Sequence, residues 1–267
     1  MKRRTYLAGA VGLLGGTVAV SAPTLRGGAQ QSAQRSPSST LLPETEYETP
    51  IYRFSGDGDG PTGVIVGGMH GDERSGFLAT ERVGQFSIDA GELVVVPRVN
   101  QPAIEANTRH GIGGDLNRQF PPGETPTTKL ARALWNDVVL ATEPDFLMDL
   151  HRSKGIYGVH PDFVGQAIFP TDVAPAKAHA TETINRLNDN SVSRWMPYHK
   201  FALGNVMHGT SPLLAHKAGG DLSIPAYIVE AAEFLTDRQT RIDWTVTAAT
   251  HLLELHGIER TDGGEKS

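Results

Sequence analysis

The stretch GVIVGGMHGDERSGFLATERV, residues 63–83, changes its period in mid-course. Its first third is a short apolar run suited to a buried strand, its last part is amphipathic at helical spacing, and a glycine-rich turn joins them. A strand that feeds straight into a helix opens a β–α unit, and the rest of the chain repeats the alternation. Apolar, β-rich runs recur at GELVVVPRV (91–99), PDFLMDLH (144–151), GQAIFP (165–170) and IPAYIVEA (224–231). Helix-like stretches occupy 75–86, 125–142, 172–189 and 240–257. Short buried-type strands separated by longer amphipathic helices predict an α/β sandwich with a largely parallel sheet. In such sheets the ligand-binding residues sit in loops just past the carboxyl ends of the strands. No internal repeat is visible.

The chain has 267 residues, 39% of them hydrophobic, enough for one full core. It contains no cysteine. A thiol nucleophile, a thiolate zinc site and a disulfide framework are thereby excluded, and a metal would have to be held by His, Asp or Glu. The net charge of −6 hides an asymmetry, because residues 1–40 hold five of the 24 basic residues and none of the 30 acidic ones. The remainder, at 19 basic against 30 acidic, repels nucleic acid and anionic lipid. The basic start, MKRRTYLAGAVGLLGGTVAVSA, has the charged, apolar and small-residue regions of an export signal, and Arg3–Arg4 suit the twin-arginine route. We expect residues 1–29 to be that signal and 30–45 a disordered spacer. Residues 46–258 are then the folded domain and 259–267 a polar tail. The expected location is extracellular or at the cell surface, with membrane contact through the signal alone.

Against this frame the polar residues at strand ends acquire meaning. His70 and Glu73 follow the strand GVIVGG, and His151 follows DFLMDL. Two imidazoles and one carboxylate form a ligand set of catalytic zinc. Asp149, two residues before His151, is placed to orient a histidine ligand or to serve structure. By itself H-x-x-E is a weak signal, since ten histidines and thirty acids pair readily by chance. It is strengthened by TRHGIGGDLNRQF (108–120), a glycine-rich loop carrying Arg109, Asp115, Asn117 and Arg118, whose arginines suit a carboxylate or a polarised carbonyl. It is strengthened again by SIPAYIVEAAEF, where Glu230 ends an apolar strand as a general base would. Glu233 competes for that role; strand alternation favours Glu230.

HGDE at 70–73, DLNRQF at 115–120, DLH at 149–151 and the strand ending in Glu230, in this order, resemble the zinc carboxypeptidase superfamily and specifically its succinylglutamate desuccinylase/aspartoacylase branch. The resemblance spans roughly residues 50–257. It implies a three-layer phosphorylase/hydrolase-like α/β sandwich around a mostly parallel mixed sheet, with one Zn²⁺ per chain held by His70, Glu73 and His151. It further implies Glu230 as general base and acid. Arg109, Asn117 and Arg118 would hold the substrate's carboxylate, Arg109 also polarising its scissile carbonyl. The expected activity is hydrolysis of an amide beside a free carboxylate, in an N-acyl amino acid or at the C-terminus of a short peptide. A non-catalytic metal- or carboxylate-binding protein is the alternative. Two departures stand out. The loop KFALGNVMHGTSPLLAHKAGGDLS (200–223) lacks the tyrosine that covers substrate in the peptidases, leaving His208 or His216 for that space. Only one helix-like stretch and the tail follow Glu230, so the specificities for succinylglutamate and acetylaspartate are not carried over. Tyr157 and Tyr198 are pocket candidates more suited to packing, and His251 and His256 are placed on a helix surface. His160 has no assigned role, and the oligomeric state is not legible.

Overall fold

The structure, a computed structural model, describes residues 35–261. The export-signal reading lies outside the described residues.

Eight strands form one mixed sheet. They are β1 (Ser39–Leu41), β2 (Thr49–Ser55), β3 (Gly58–Gly67), β4 (Ala90–Val96), β5 (Phe146–Ser153), β6 (Ala167–Pro170), β7 (Ala202–Leu203) and β8 (Ala226–Ala232). Their spatial order is β1-β2-β4-β3-β5-β8-β6-β7. The four central strands β4, β3, β5 and β8 run parallel, while β2 and β6 join them antiparallel on either side. All five apolar runs read from the sequence become strands of this sheet.

The helices are α1 (Arg74–Val83), α2 (Gln101–Ala106), α3 (Lys129–Ala133), α4 (Ala176–Asn190), α5 (Leu214–Leu222) and α6 (Arg238–Leu255). The expected helix over 125–142 starts late, at Lys129, where Thr128 accepts a hydrogen bond from the Ala131 amide, and then widens into π-type turns over Leu134–Leu140. Asp237 caps α6 in the same way through the Thr240 amide, 2.9 Å away. Among the described residues no helix is long and apolar enough to cross a membrane.

Strand alternation divides the core in two. Val64, Val66, Leu147 and Ile228 face Leu134 and Trp135 of the α3 segment and Leu214 and Ala218 of α5. Ile65, Met148, Tyr227 and Val229 face Val83 of α1, Ile184 of α4 and Trp244 of α6. Helices thus cover both faces of a sheet whose central strands are apolar on both sides, as parallel sheets require. The three-layer expectation holds.

The structure corrects three expectations. The segment assigned to a disordered spacer contains β1, which pairs with β2, and Arg35 donates to the Phe86 carbonyl at 2.8 Å. Edge pairing through the backbone needs no apolar sequence signal. In the supposed polar tail, the Asp89 amide donates to Glu259 and the Thr261 amide to Ser87, while Ile88 and Arg260 form a β-bridge. His256 does not lie on an open helix surface: its ring stacks on Phe146 with centroids 4.1 Å apart, and Nε2 lies 2.9 Å from the Tyr227 hydroxyl.

Candidate metal centre and active site

The alternation that fills the core also aims the polar residues. Asp149 and His151 continue the Leu147 side of β5, and Glu230 continues the Ile228 side of β8. The register pairs His151 directly with Glu230, so both stand side by side on the α5 face at the carboxyl end of the sheet. The turn after β3 brings His70 and Glu73 to the same place. Gly71 is required there, because a Cβ would collide with the backbone of Ala103 in α2. Gly76 lets α1 settle against β5, since a Cβ would stand 2.6 Å from the Leu150 carbonyl oxygen.

Glu73 lies between the two imidazoles. Its Oε1 is 2.9 Å from His70 Nδ1 and its Oε2 2.8 Å from His151 Nδ1. The far nitrogens also meet carboxylates: His70 Nε2 lies 2.8 Å from Asp115, and His151 Nε2 2.8 Å from Asp149. Each histidine therefore turns Nδ1 toward Glu73 and is oriented from behind by an acid, the arrangement that fixes metal-ligating imidazoles. His70, Glu73 and His151 are all buried, and one donor atom from each falls within 4.8 Å of the others.

The electrostatics of this cluster favour positive charge at its centre. Burial opposes charging His151, yet Asp149 and Glu73 outweigh it and hold its pKa well above the ordinary value. Burial likewise opposes charging His70, and Asp115 and Glu73 raise its pKa. Glu73 is held well below the usual range by both imidazoles despite its burial, and Asp115 is pulled to about 2 by His70, Arg109 and Arg118 against its own burial. Three carboxylates around two imidazoles, with no thiolate, fit a divalent ion that accepts nitrogen and oxygen donors.

A cavity of about 310 Å³ opens beside the cluster and reaches His70, Arg109, Asn117, Arg118, His151 and Glu230. His70, Glu73, Arg109, Asn117, Arg118, His151 and Glu230, expected from the sequence to form the site, therefore converge. Their engagement differs, however. Glu230 is 9% exposed, and its Oε2 has no hydrogen-bond partner among the described residues. Burial and the neighbouring Glu73 and Asp149 push its pKa up to about 8 against the pull of His151 and His70. Glu233 points elsewhere, pairing with Arg152 at 3.0 Å outside this cavity. Arg109 lies 2.9 Å from Glu73, at the reacting end. Arg118 donates to the Asn117 carbonyl at 2.7 Å and has no carboxylate partner among the described residues, so its guanidinium is available to a ligand. The Asn117 amide is committed instead: its nitrogen donates to Asp149 and its oxygen accepts from the Leu214 amide, which ties the acid behind His151 to the start of α5.

His216 lines the cavity from the first turn of α5, within the stretch where a tyrosine was missing, whereas His208 pairs with Asp172. Tyr157 packs edge-on against Phe169, and Tyr198 is 70% exposed; neither lines the cavity. The role of Asp115 as the acid behind His70 was not read from the sequence, although its place in DLN, two residues before Asn117, was the available signal.

Residues 59–183 match the model of the succinylglutamate desuccinylase/aspartoacylase catalytic domain. The chain is similar to this family over that stretch, which is just under half of its length. Over 101 residues it is 37% identical to N-alpha-acetyl-L-2,4-diaminobutyric acid deacetylase of Halomonas elongata, covering 35% of this chain and 29% of that enzyme. The product-bound structure of cell shape determinant protein Csd4 from Helicobacter pylori has the same fold, with a TM-score of 0.68 and 23% identity over 81% of this chain and 57% of Csd4. The succinylglutamate desuccinylase/aspartoacylase of Rhodobacter sphaeroides follows at a TM-score of 0.55 and 19% identity, over 82% of this chain and 62% of its own. The chain thus spans less than two thirds of each of these relatives.

Proposed function

We propose that the chain is a member of the succinylglutamate desuccinylase/aspartoacylase family and an exported, zinc-dependent hydrolase that cleaves an amide beside a free carboxylate and releases an amino acid. The observation that carries this reading is the buried, unpartnered Glu230 standing in register beside His151, in one cavity with Arg118. His70, Glu73 and His151 would hold the ion, which when bound acidifies water and polarises a carbonyl. Arg118 binds the substrate's carboxylate and thereby sets where the amide lies. Arg109, at the metal end, steadies negative charge developing on the carbonyl oxygen. Glu230 takes the proton of the attacking water at its carboxylate and returns it to the leaving amine nitrogen. The export assignment rests on the sequence pattern of residues 1–29.

An N-acyl amino acid is the favoured substrate, supported by the deacetylase relative. Action on peptide C-termini is the second reading, supported by the fold shared with Csd4, described in its mDAP-bound form as a D,L-carboxypeptidase. The test is metal content of the purified protein together with hydrolysis of N-acyl amino acids and dipeptides before and after chelation. One zinc per chain and chelator-sensitive release of an amino acid are expected. Full metal occupancy without turnover on any of these compounds would replace the hydrolase with a metal- or carboxylate-binding protein.

A further inference from the structure

The cavity beside the metal centre has two unlike halves. One carries the candidate ligands, Arg109 and Glu230. The other is apolar, formed by Val164, Phe169, Val206, Met207, Leu213 and Ile228. Strand register explains how the two halves meet. Ile228 lies one pleat before Glu230 on the same face of β8, about 7 Å along the strand. Across the antiparallel pair, Phe169 of β6 stands directly opposite Ile228. The floor next to the base is therefore an Ile–Phe pair, and the segment leading into α5 contributes Met207, which is buried, and the half-buried Val206 and Leu213.

Charge is scarce in this half. Arg109 is engaged by Glu73 at 2.9 Å and lies 3.6 Å from Asp115, whereas Arg118 has no carboxylate within ion-pair distance among the described residues, Asp115 acting on it only from further away. The polar residues on the apolar side are Asn205 and His216, and burial with the nearby His208 disfavours charging His216. One free cation matches one carboxylate. A second carboxylate, or an ammonium at the end of a side chain, would sit against apolar groups with no partner.

We propose that the amino acid released from this site carries a single carboxylate, bound by Arg118, and an uncharged apolar side chain seated on Ile228, Phe169, Val206 and Met207. The inference rests on the hydrolase reading and names the substrate class for it. A volume of about 310 Å³ is at the small end for ligand sites, which suits one amino-acid moiety rather than a long chain.

The test uses the full zinc-loaded chain and two matched series, N-acetyl amino acids and dipeptides, in which the residue to be released is Leu, Met, Phe, Asp, Glu or Lys. Binding of the same free amino acids to zinc-free protein is measured by calorimetry. We expect kcat/KM for Leu, Met and Phe to exceed that for Asp, Glu and Lys by at least about tenfold, the scale on which a pocket separates unlike side chains. The free apolar amino acids should bind and the charged ones should not. Val206→Asp, at a half-buried position, should cut that preference about tenfold in favour of Lys. Equal or better turnover of the charged members, or a preference unmoved by Val206→Asp, overturns the proposal and leaves the hydrolase reading standing. Selective binding of apolar amino acids without turnover retains the pocket assignment and overturns the hydrolase; neither binding nor turnover overturns both.

Discussion

Glu230 and the acids behind the histidines can be separated by their failures. Glu230→Gln preserves shape but removes the proton acceptor, so turnover should drop by at least about a hundredfold while zinc stoichiometry by mass spectrometry stays unchanged. Asp115→Ala and Asp149→Ala leave the three candidate ligands in place but free one imidazole to rotate, and zinc affinity measured by competition with a chelator should fall about 10- to 100-fold. These residues differ in how far the sequence disclosed them. His70, Glu73, His151 and Glu230 were legible because each follows an apolar strand, and strand ends are where open α/β sheets place their chemistry. Asn117 was read as a substrate contact, whereas its amide is spent on Asp149 and Leu214. That difference depends on which partner lies across the cavity, 97 residues away in the case of Leu214, and no local pattern encodes it.

Among the elements, the buried strands and long helices were visible from their periods, and the edges were not. β2, TPIYRFS, buries Ile51 on one face and Phe54 on the other while Arg53 and Ser55 are exposed, so no clean alternation shows, and α5 carries two glycines, Gly219 and Gly220, that weaken its helical signature. Both are held by what they pack against rather than by propensity. The turn between β3 and α1 is held by closeness: Gly71 sits against α2 with no room for a side chain. Gly71→Ala should therefore displace the loop that bears two candidate ligands. We expect a loss of roughly 1–3 kcal/mol in urea unfolding, the scale of overpacking, together with substoichiometric zinc.

For the molecule as a whole, stability should respond to metal and to pH through different groups. A ligand that binds only the folded state adds about 2.7 kcal/mol at a hundredfold excess over its Kd, so chelation should lower the melting temperature, and zinc should restore it. At the other end of the sheet, burial against Phe146 and Tyr227, with His179 alongside, depresses the pKa of His256 to about 4. Its unfolded value is near 6.5, so between these limits the unfolded chain binds more protons and stability falls as pH drops. The loss from this group is about 2 kcal/mol by pH 5. Urea midpoints at pH 7.5 and pH 5 should show it, and His256→Gln should flatten that part of the slope. The pairing of His151 with Glu230 reaches further than either residue. A slip of one position between β5 and β8 would send one of these side chains through to the opposite face, beneath α1 and α6. No misaligned sheet can then retain a working centre, and catalysis becomes a faithful gauge of whether the middle of the protein has zipped up correctly.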